Sequence, residues 1–180
     1  MGKTCLTLRF VKGMFDDDQL PTIGAAYMTK KVTMEGRQFI FEIWDTAGQE
    51  RYEAITPLYY RSAEAAVIVF DLTYKESFTK AKEWLKRLRK ERPDPAMPIA
   101  LVGNKSDREG READDEAVRQ FADENNLSYF ETSAKTGANV DEMFTWVATN
   151  LPPPAETGEE GNDAFPVTAE SLNAEPKGCC

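Results

Sequence analysis

A continuous apolar run at residues 66–72, AVIVFDL, constrains the fold more than any other feature of this sequence. Strands with a solvent-facing side alternate polar and apolar residues, whereas this run is typical of a strand buried on both faces of a parallel sheet. A second buried strand is predicted at 98–103. Between them, residues 75–91 predict an amphipathic helix, the crossover that parallel neighbours need. The inner side of that helix is formed by Phe78, Ala81, Trp84, Leu85 and Leu88.

The same alternation of strands and helices continues on both sides of this unit. A short helix is predicted after Gly2-Lys3-Thr4, and two β-rich runs at 29–34 and 38–44 predict an antiparallel hairpin. Further along the chain we predict a helix at 113–125, a strand at 128–132 and a helix at 139–150. This order favours an α/β domain over residues 1–150, with a mostly parallel sheet and helices on both faces.

Composition changes sharply after Leu151. Residues 151–180 contain five of the ten prolines, six acidic residues and one lysine, Lys177. Low hydrophobicity combined with net negative charge and proline is typical of a disordered segment. We therefore predict a disordered acidic tail at 151–180 rather than a second domain.

Charge and composition exclude several classes of function. A net charge of −9 argues against a nucleic-acid partner, whose phosphates require a basic surface. Chemistry based on imidazole is excluded because the sequence contains no histidine. The three cysteines, Cys5, Cys179 and Cys180, do not form a disulfide framework or a zinc spacing. Because no apolar run approaches ~18 residues and no secretory signal is evident, we expect a protein of the cytosolic side.

Two polar clusters suit a nucleotide's phosphates. Gly2-Lys3-Thr4 matches the end of a phosphate-binding loop, although so short a motif also occurs by chance at the start of ordinary helices. Asp45-Thr46-Ala47-Gly48-Gln49-Glu50 follows an apolar strand. In it, Asp45 can hold Mg²⁺ through water, Gly48 lets the backbone approach a γ-phosphate, and Gln49 can orient an attacking water. The alternative for this second cluster is an ordinary polar turn.

Two further clusters suit a guanine base. Asn104-Lys105-Ser106-Asp107 follows the buried strand at 98–103, and its last carboxylate can accept from two neighbouring N–H groups of guanine that adenine lacks. Asn104 would tie loops together, and the Lys105 stem can lie over the base. In Glu131-Thr132-Ser133-Ala134-Lys135, the backbone N–H of Ala134 could reach the guanine carbonyl. A solvated polar loop is the alternative for the first of these clusters.

Together the four clusters resemble the Ras superfamily of small GTPases, and within it the Rab proteins, closest to the early-endosome subgroup. The resemblance covers about 150 of the 180 residues. It implies the P-loop small-GTPase fold, binding of GTP and GDP with Mg²⁺, and GTP hydrolysis. The segments that carry the Rab resemblance are TIGAAY at 22–27, EIWDTAGQER at 42–51, YYRSA at 59–63 and the terminal Cys-Cys.

The resemblance also implies roles for individual residues. Mg²⁺ would be held by Thr4, Thr22 and Asp45, and Gln49 would be catalytic. An exposed aromatic triad for effectors would consist of Tyr27, Trp44 and Tyr59, although Trp44 could simply pack in the core. The nucleotide-binding residues would be Gly2, Lys3, Thr4, Cys5, Thr22, Gly48, Asn104, Lys105, Asp107, Ser133, Ala134 and Lys135.

The terminal Cys179-Cys180 pair resembles the doubly geranylgeranylated end of Rab proteins. Two lipid chains give a stable anchorage that one chain does not. The resemblance therefore implies the cytoplasmic face of endosomal or other vesicle membranes, with cycling through the cytosol. The implied protein partners are effectors, an exchange factor, an activating protein, a GDP-dissociation inhibitor and a prenylation escort.

The sequence departs from the family at its start, because Met1 directly precedes Gly2. The family's first strand and most of its phosphate-binding loop would precede this point. We therefore expect a fold without that strand, in which the sheet has two unpaired inner edges. An alternative to a working GTPase is a truncated chain that does not bind nucleotide. An ATP-using P-loop kinase is a third possibility, which Asp107 contradicts.

Overall fold

The computed structural model describes residues 1–34, 36–48, 58–59 and 61–151. In chain order, its helices and strands are α1 (Lys3–Lys12), β1 (Ala25–Met34), β2 (Arg37–Thr46), β3 (Ala66–Asp71), α2 (Lys75–Glu91), β4 (Ile99–Asn104), α3 (Asp115–Glu124), β5 (Ser128–Thr132) and α4 (Val140–Thr149).

The apolar run at 66–72 forms β3, which pairs in parallel with β4, and β4 pairs in parallel with β5. All six residues of β4 are buried, as expected for a central strand covered on both faces. Helix α2 is the crossover from β3 to β4. The predicted α/β class, with a parallel sheet flanked by helices, is confirmed.

Helices cover both faces of this sheet because successive strand residues point to opposite sides. On one face, Ile68 and Phe70 of β3 pack in a cluster with α2 and α3. On the other, Val69 of β3 packs in a cluster with α1 and α4. At the second face the Phe10 and Phe144 rings are stacked, with centroids 3.7 Å apart.

Strands β1 and β2 form the predicted antiparallel hairpin, which is longer than predicted. The register runs from Ala25 opposite Thr46 to Met34 opposite Arg37, so pairing begins four residues before position 29. Phe41 of β2 contacts Phe10 edge-on, with ring centroids 5.1 Å apart, and this contact holds the hairpin against α1. The early residues of β1 were missed because their alternation is weak: Ala25 and Ala26 are small and adjacent.

The described residues divide between two sheets, β1-β2 and β3-β4-β5, with no strand pairing between them. A cavity of about 400 Å³ lies between the hairpin and β3. Its walls are mostly apolar and include residues 40–47, residues 65–69, and Met143, Phe144 and Val147 of α4. Within the described ranges, the edges of β2 and β3 that face each other across this cavity are unpaired.

Candidate functional site

The polar clusters converge where the strands end, as in other open α/β sheets. Asp45 is the penultimate residue of β2, Asn104 ends β4, and Thr132 ends β5. Helix α1 begins at the same edge, because Asn104 Nδ2 donates to the carbonyl of Met1 at 3.0 Å. The four clusters, distant in sequence, therefore form one continuous site.

Thr4, Thr22 and Asp45 form a compact group of oxygen atoms. The Thr4 hydroxyl donates to Asp45 Oδ2 at 2.6 Å, and the Thr22 hydroxyl lies 3.3 Å from the same oxygen. The two hydroxyl oxygens are 2.7 Å apart. Three hard oxygen ligands from three separate segments are thus brought together, which is the type of donor set that Mg²⁺ prefers alongside phosphate oxygens and water.

The second oxygen of this carboxylate provides a test of whether a cation fits. Asp45 is 3% exposed, and its Oδ1 is buried without a hydrogen-bond partner. Burial raises the pKa of the Asp45 carboxyl, while the hydrogen bond from Thr4 and the charge of Lys3 oppose that rise. A buried carboxylate with one unsatisfied oxygen needs positive charge beside it. The residues present therefore fit Mg²⁺, which when bound would neutralise charge on the phosphates.

Lys3 and Gly48 face each other at the same place. A Cβ added to Gly48 would lie 3.0 Å from Lys3 Nζ, so a side chain here would crowd the lysine. Burial lowers the pKa of Lys3, opposed by the charge of Asp45. Lys3 also lies in the first turn of α1, where backbone N–H groups, including that of Cys5, have no partner within the helix. A lysine beside these free donors suits an anionic phosphate.

Gly2 and Asn104 join the start of α1 to the end of β4. Gly2 has a φ of 82°, and an added Cβ would lie 2.7 Å from Asn104 Nδ2. Asn104 is 1% exposed, and its Oδ1 accepts from the backbone N–H of Ala134 at 3.2 Å. One buried amide thus connects three segments: the start of α1, the end of β4 and the loop that follows β5.

The residues predicted to recognise the base are held by their own hydrogen bonds. The Ser133 hydroxyl donates to Asp107 Oδ1 at 2.6 Å and accepts from the N–H of Thr136 at 3.1 Å. The N–H of Ala134, predicted to face the guanine carbonyl, is instead donated to Asn104. Lys135 lies on the surface of the same loop, with its side chain 57% exposed. We call residues 133–137 the base loop.

Asp71 is a site residue that the sequence reasoning missed. Its side chain is 8% exposed and lies 2.5 Å from Lys105 Nζ, and its Oδ1 accepts from the N–H and hydroxyl of Thr73. Burial opposes ionisation of Asp71, but these hydrogen bonds outweigh it and lower its pKa. The signal was present in the sequence, because an acid inside an apolar strand requires a buried partner.

Tyr27, Trp44 and Tyr59 form one aromatic surface. Their rings are adjacent, with centroids 4.9 Å apart for Tyr27 and Trp44 and 5.1 Å apart for Trp44 and Tyr59. Trp44 is 47% exposed, so the alternative that it simply packs in the core is wrong. Asp45 directly follows Trp44 in β2, so one strand carries both this aromatic surface and a member of the metal-ligand group, with the two side chains on opposite faces of the hairpin.

Three of the predicted site residues, Gln49, Cys179 and Cys180, lie outside the described residues. Cys5 is described: its thiol is free and half-buried, and burial raises its pKa. In the described part of the chain no helix is long and apolar enough to cross a membrane. Nor do the described Cys, Asp and Glu residues form a group of three that could hold a metal.

Comparison with known families agrees with this geometry. The family model described as Ras family matches residues 1–152, which is most of the chain and includes every described residue of the site. Members of this family bind GTP and GDP, typically with Mg²⁺, and hydrolyse GTP. The chain therefore belongs to the Ras family of small GTP-binding proteins.

Proposed function

We propose that this chain is a Rab-type switch that binds and hydrolyses GTP to regulate vesicle or endosomal membrane traffic. The observation that carries the proposal is that β2 carries both the aromatic surface and a member of the metal-ligand group. Trp44 and Asp45 are consecutive residues of β2, and Tyr27 is paired with Trp44 across the hairpin. A change of ligands at Asp45 and Thr22 therefore acts on the segment that presents these rings.

A switch of this kind needs a surface that differs between its two nucleotide states. With GTP bound, Thr22 would ligate Mg²⁺ and meet the γ-phosphate, which would hold the segment before β1 beside Lys3 and Gly48. After hydrolysis that contact is lost. Effectors would recognise the aromatic surface in the first state only, because flat exposed rings supply most of the energy at such interfaces.

Nucleotide binding is tested by titrating fluorescently labelled GTP into the purified 180-residue chain with and without Mg²⁺. Submicromolar, Mg²⁺-dependent affinity is expected. Micromolar or weaker affinity would instead favour the alternative, a chain that does not bind nucleotide and acts as a prenylatable or partner-binding fragment. Asp45→Ala is the matched variant, since it removes the carboxylate and should abolish the Mg²⁺ dependence.

The switch itself is tested by the fluorescence of Trp44. Replacing bound GDP by a non-hydrolysable GTP analogue should change the emission, because this indole is partly exposed and its backbone continues directly into Asp45 of the metal-ligand group. Trp44→Phe should remove that change, leaving the signal of Trp84 and Trp146. A change that persists in Trp44→Phe would show that the aromatic surface does not sense the nucleotide.

Membrane attachment would come from geranylgeranyl groups on Cys179 and Cys180. The net charge of residues 151–180 is negative, so anionic lipid would not add electrostatic attraction. In cells, a Cys179→Ser, Cys180→Ser double variant should move from the membrane fraction to the cytosol. Single variants should show intermediate attachment. An unchanged distribution of the double variant would count against the lipid anchor and, with it, the proposed endosomal location and prenylation partners.

A further inference from the structure

Arg9 makes a three-point contact that none of the motifs accounts for. It lies in α1, six residues after Lys3, and its side chain reaches the base loop. Nε donates to the carbonyl of Ala134 at 2.7 Å, and Nη2 donates to the carbonyl of Lys135 at 2.6 Å. Nη1 donates to the carbonyl of Gly13 at 2.9 Å, at the end of its own helix.

The chemistry of this contact is specific to arginine. A guanidinium is planar and presents its N–H groups in a fixed fork, so it can bind two successive carbonyls at once. A lysine ammonium can replace the charge but not the fork. The peptide units around Ala134 are then held from both sides, since the N–H of Ala134 donates to Asn104 while its carbonyl accepts from Arg9.

A second contact, to the hairpin, also holds helix α1. Lys30 of β1 donates to the carbonyl of Phe10 and lies 4.0 Å from the centre of the Phe10 ring. Consecutive residues of α1 therefore contact two different parts of the molecule: Arg9 contacts the base loop and Phe10 contacts the hairpin. The same helix begins at Lys3 and Thr4, the residues placed to meet the phosphates and the cation.

We propose that Arg9 is a positioning residue for nucleotide binding, which holds the base loop at a fixed distance from the phosphate end of α1. The inference rests on the guanine-nucleotide site described above. A nucleotide has its base and its phosphates at a set separation, so its affinity depends on how well the two ends of the site are held apart in advance. Ser133 of the base loop donates to Asp107, so loss of Arg9 also disturbs recognition of the base.

The test uses Arg9→Gln and Arg9→Lys in the full chain, with Lys12→Gln as the matched control. Lys12 lies in the same turn of α1, carries the same charge and is exposed. Release of labelled GDP should be roughly 10- to 100-fold faster in Arg9→Gln, since two charge-assisted hydrogen bonds are lost. Arg9→Lys should lie between this variant and the wild type, and Lys12→Gln should match the wild type.

Two further readouts separate positioning from a merely structural role. The affinity ratio of GDP to inosine diphosphate, which lacks the amino group that Asp107 would bind, should fall in Arg9→Gln. Amide hydrogen exchange at 133–138, measured without nucleotide, should be faster in that variant, with exchange in β4 unchanged. Uniformly faster exchange together with an unchanged base ratio would assign Arg9 a structural role and overturn the proposal.

The exchange measurement also distinguishes the two proposals from each other. If the wild-type chain does not bind labelled GDP at all, the GTP-binding function fails for this chain. Faster local exchange in Arg9→Gln would then still support the contact between α1 and the base loop, whereas unchanged exchange would refute it.

Discussion

The two halves of the nucleotide site are built differently. The base half rests on β3, β4 and β5, whose strands are paired and whose central strand is wholly buried. The phosphate half rests on α1 and the β1-β2 hairpin, and an apolar cavity of about 400 Å³ separates this hairpin from β3. The polar groups of the base half satisfy one another, whereas the phosphate half contains a buried carboxylate oxygen without a partner.

This difference shows which part of the site is organised in advance. Asn104, Ser133 and Asp107 already have the hydrogen bonds that hold the loops in place, so the base half costs little ordering on binding. In the phosphate half, Asp45 Oδ1 is buried without a hydrogen-bond partner. We therefore expect base recognition to be a property of the fold itself, and phosphate recognition to depend strongly on Mg²⁺.

Asp107→Asn should produce the largest effect, on the base half. An amide presents a donor where the carboxylate presents an acceptor, so preference should move from guanine towards xanthine, with guanine affinity reduced on the order of 10⁴-fold. Competition of GDP and xanthosine diphosphate for the labelled nucleotide measures the change. Asp94→Asn, at an exposed acid in the loop after α2, is the control. If the preference for guanine is unchanged, Asp107 does not read the base.

Leu101→Ala, in the base half, should lower the free energy of unfolding more than Ile43→Ala, in the phosphate half. Leu101 is 0% exposed in the middle of β4, so its truncation should lower the free energy of unfolding by about 2–5 kcal/mol. Ile43 of β2 is half-buried and lines the existing cavity. Ile43→Ala should therefore lower the free energy of unfolding by only about 1 kcal/mol. Urea denaturation measures both, and equal losses would show that the two halves unfold with the same core.

The same contrast explains how much the sequence predicted. The paired sheet was predicted from the run at 66–72 and the crossover helix, because a strand that is apolar on both faces is typical of a parallel sheet covered by helices on both sides. Asn104 was found because its motif follows directly after a buried strand, and Thr22 was found only through the resemblance to the family. Arg9 was not, because a side chain that binds backbone carbonyls needs no partner side chain and leaves no pattern in the sequence. The prediction for the N–H of Ala134 differed from the structure because its partner, Asn104 Oδ1, is an acceptor that only the folded loops bring near.

Thr22→Ala tests the dependence of the phosphate half on Mg²⁺. The change removes one hydroxyl from the metal-ligand group, and we expect Mg²⁺ affinity in the nucleotide complex to fall about 10- to 100-fold. Titration of Mg²⁺ against the release of labelled GTP measures this. Thr33→Ala, an exposed threonine at the other end of β1, should leave the Mg²⁺ dependence intact. Equal behaviour of the two variants would remove Thr22 from the group.

Asp71→Asn should have the smallest effect, and it depends on pH. Lys105 and Thr73 hold the pKa of Asp71 below its ordinary value of 3.8, so the ionised carboxylate stabilises the fold above that pH. At pH 7 the variant should lose about 1 kcal/mol of unfolding free energy, since its amide still accepts from Thr73 but no longer pairs with Lys105.

Below pH 3.8, Asp71 of the wild type is protonated in the unfolded state but stays ionised in the folded state until the pH reaches its lowered pKa. Over this interval the wild type loses the stabilisation that the ionised carboxylate provides. The difference between wild type and variant should therefore be constant from about pH 5 to 8 and shrink at lower pH. Urea midpoints across this range measure it, and a difference that grows on acidification would show that the Lys105–Asp71 pair does not stabilise the base half.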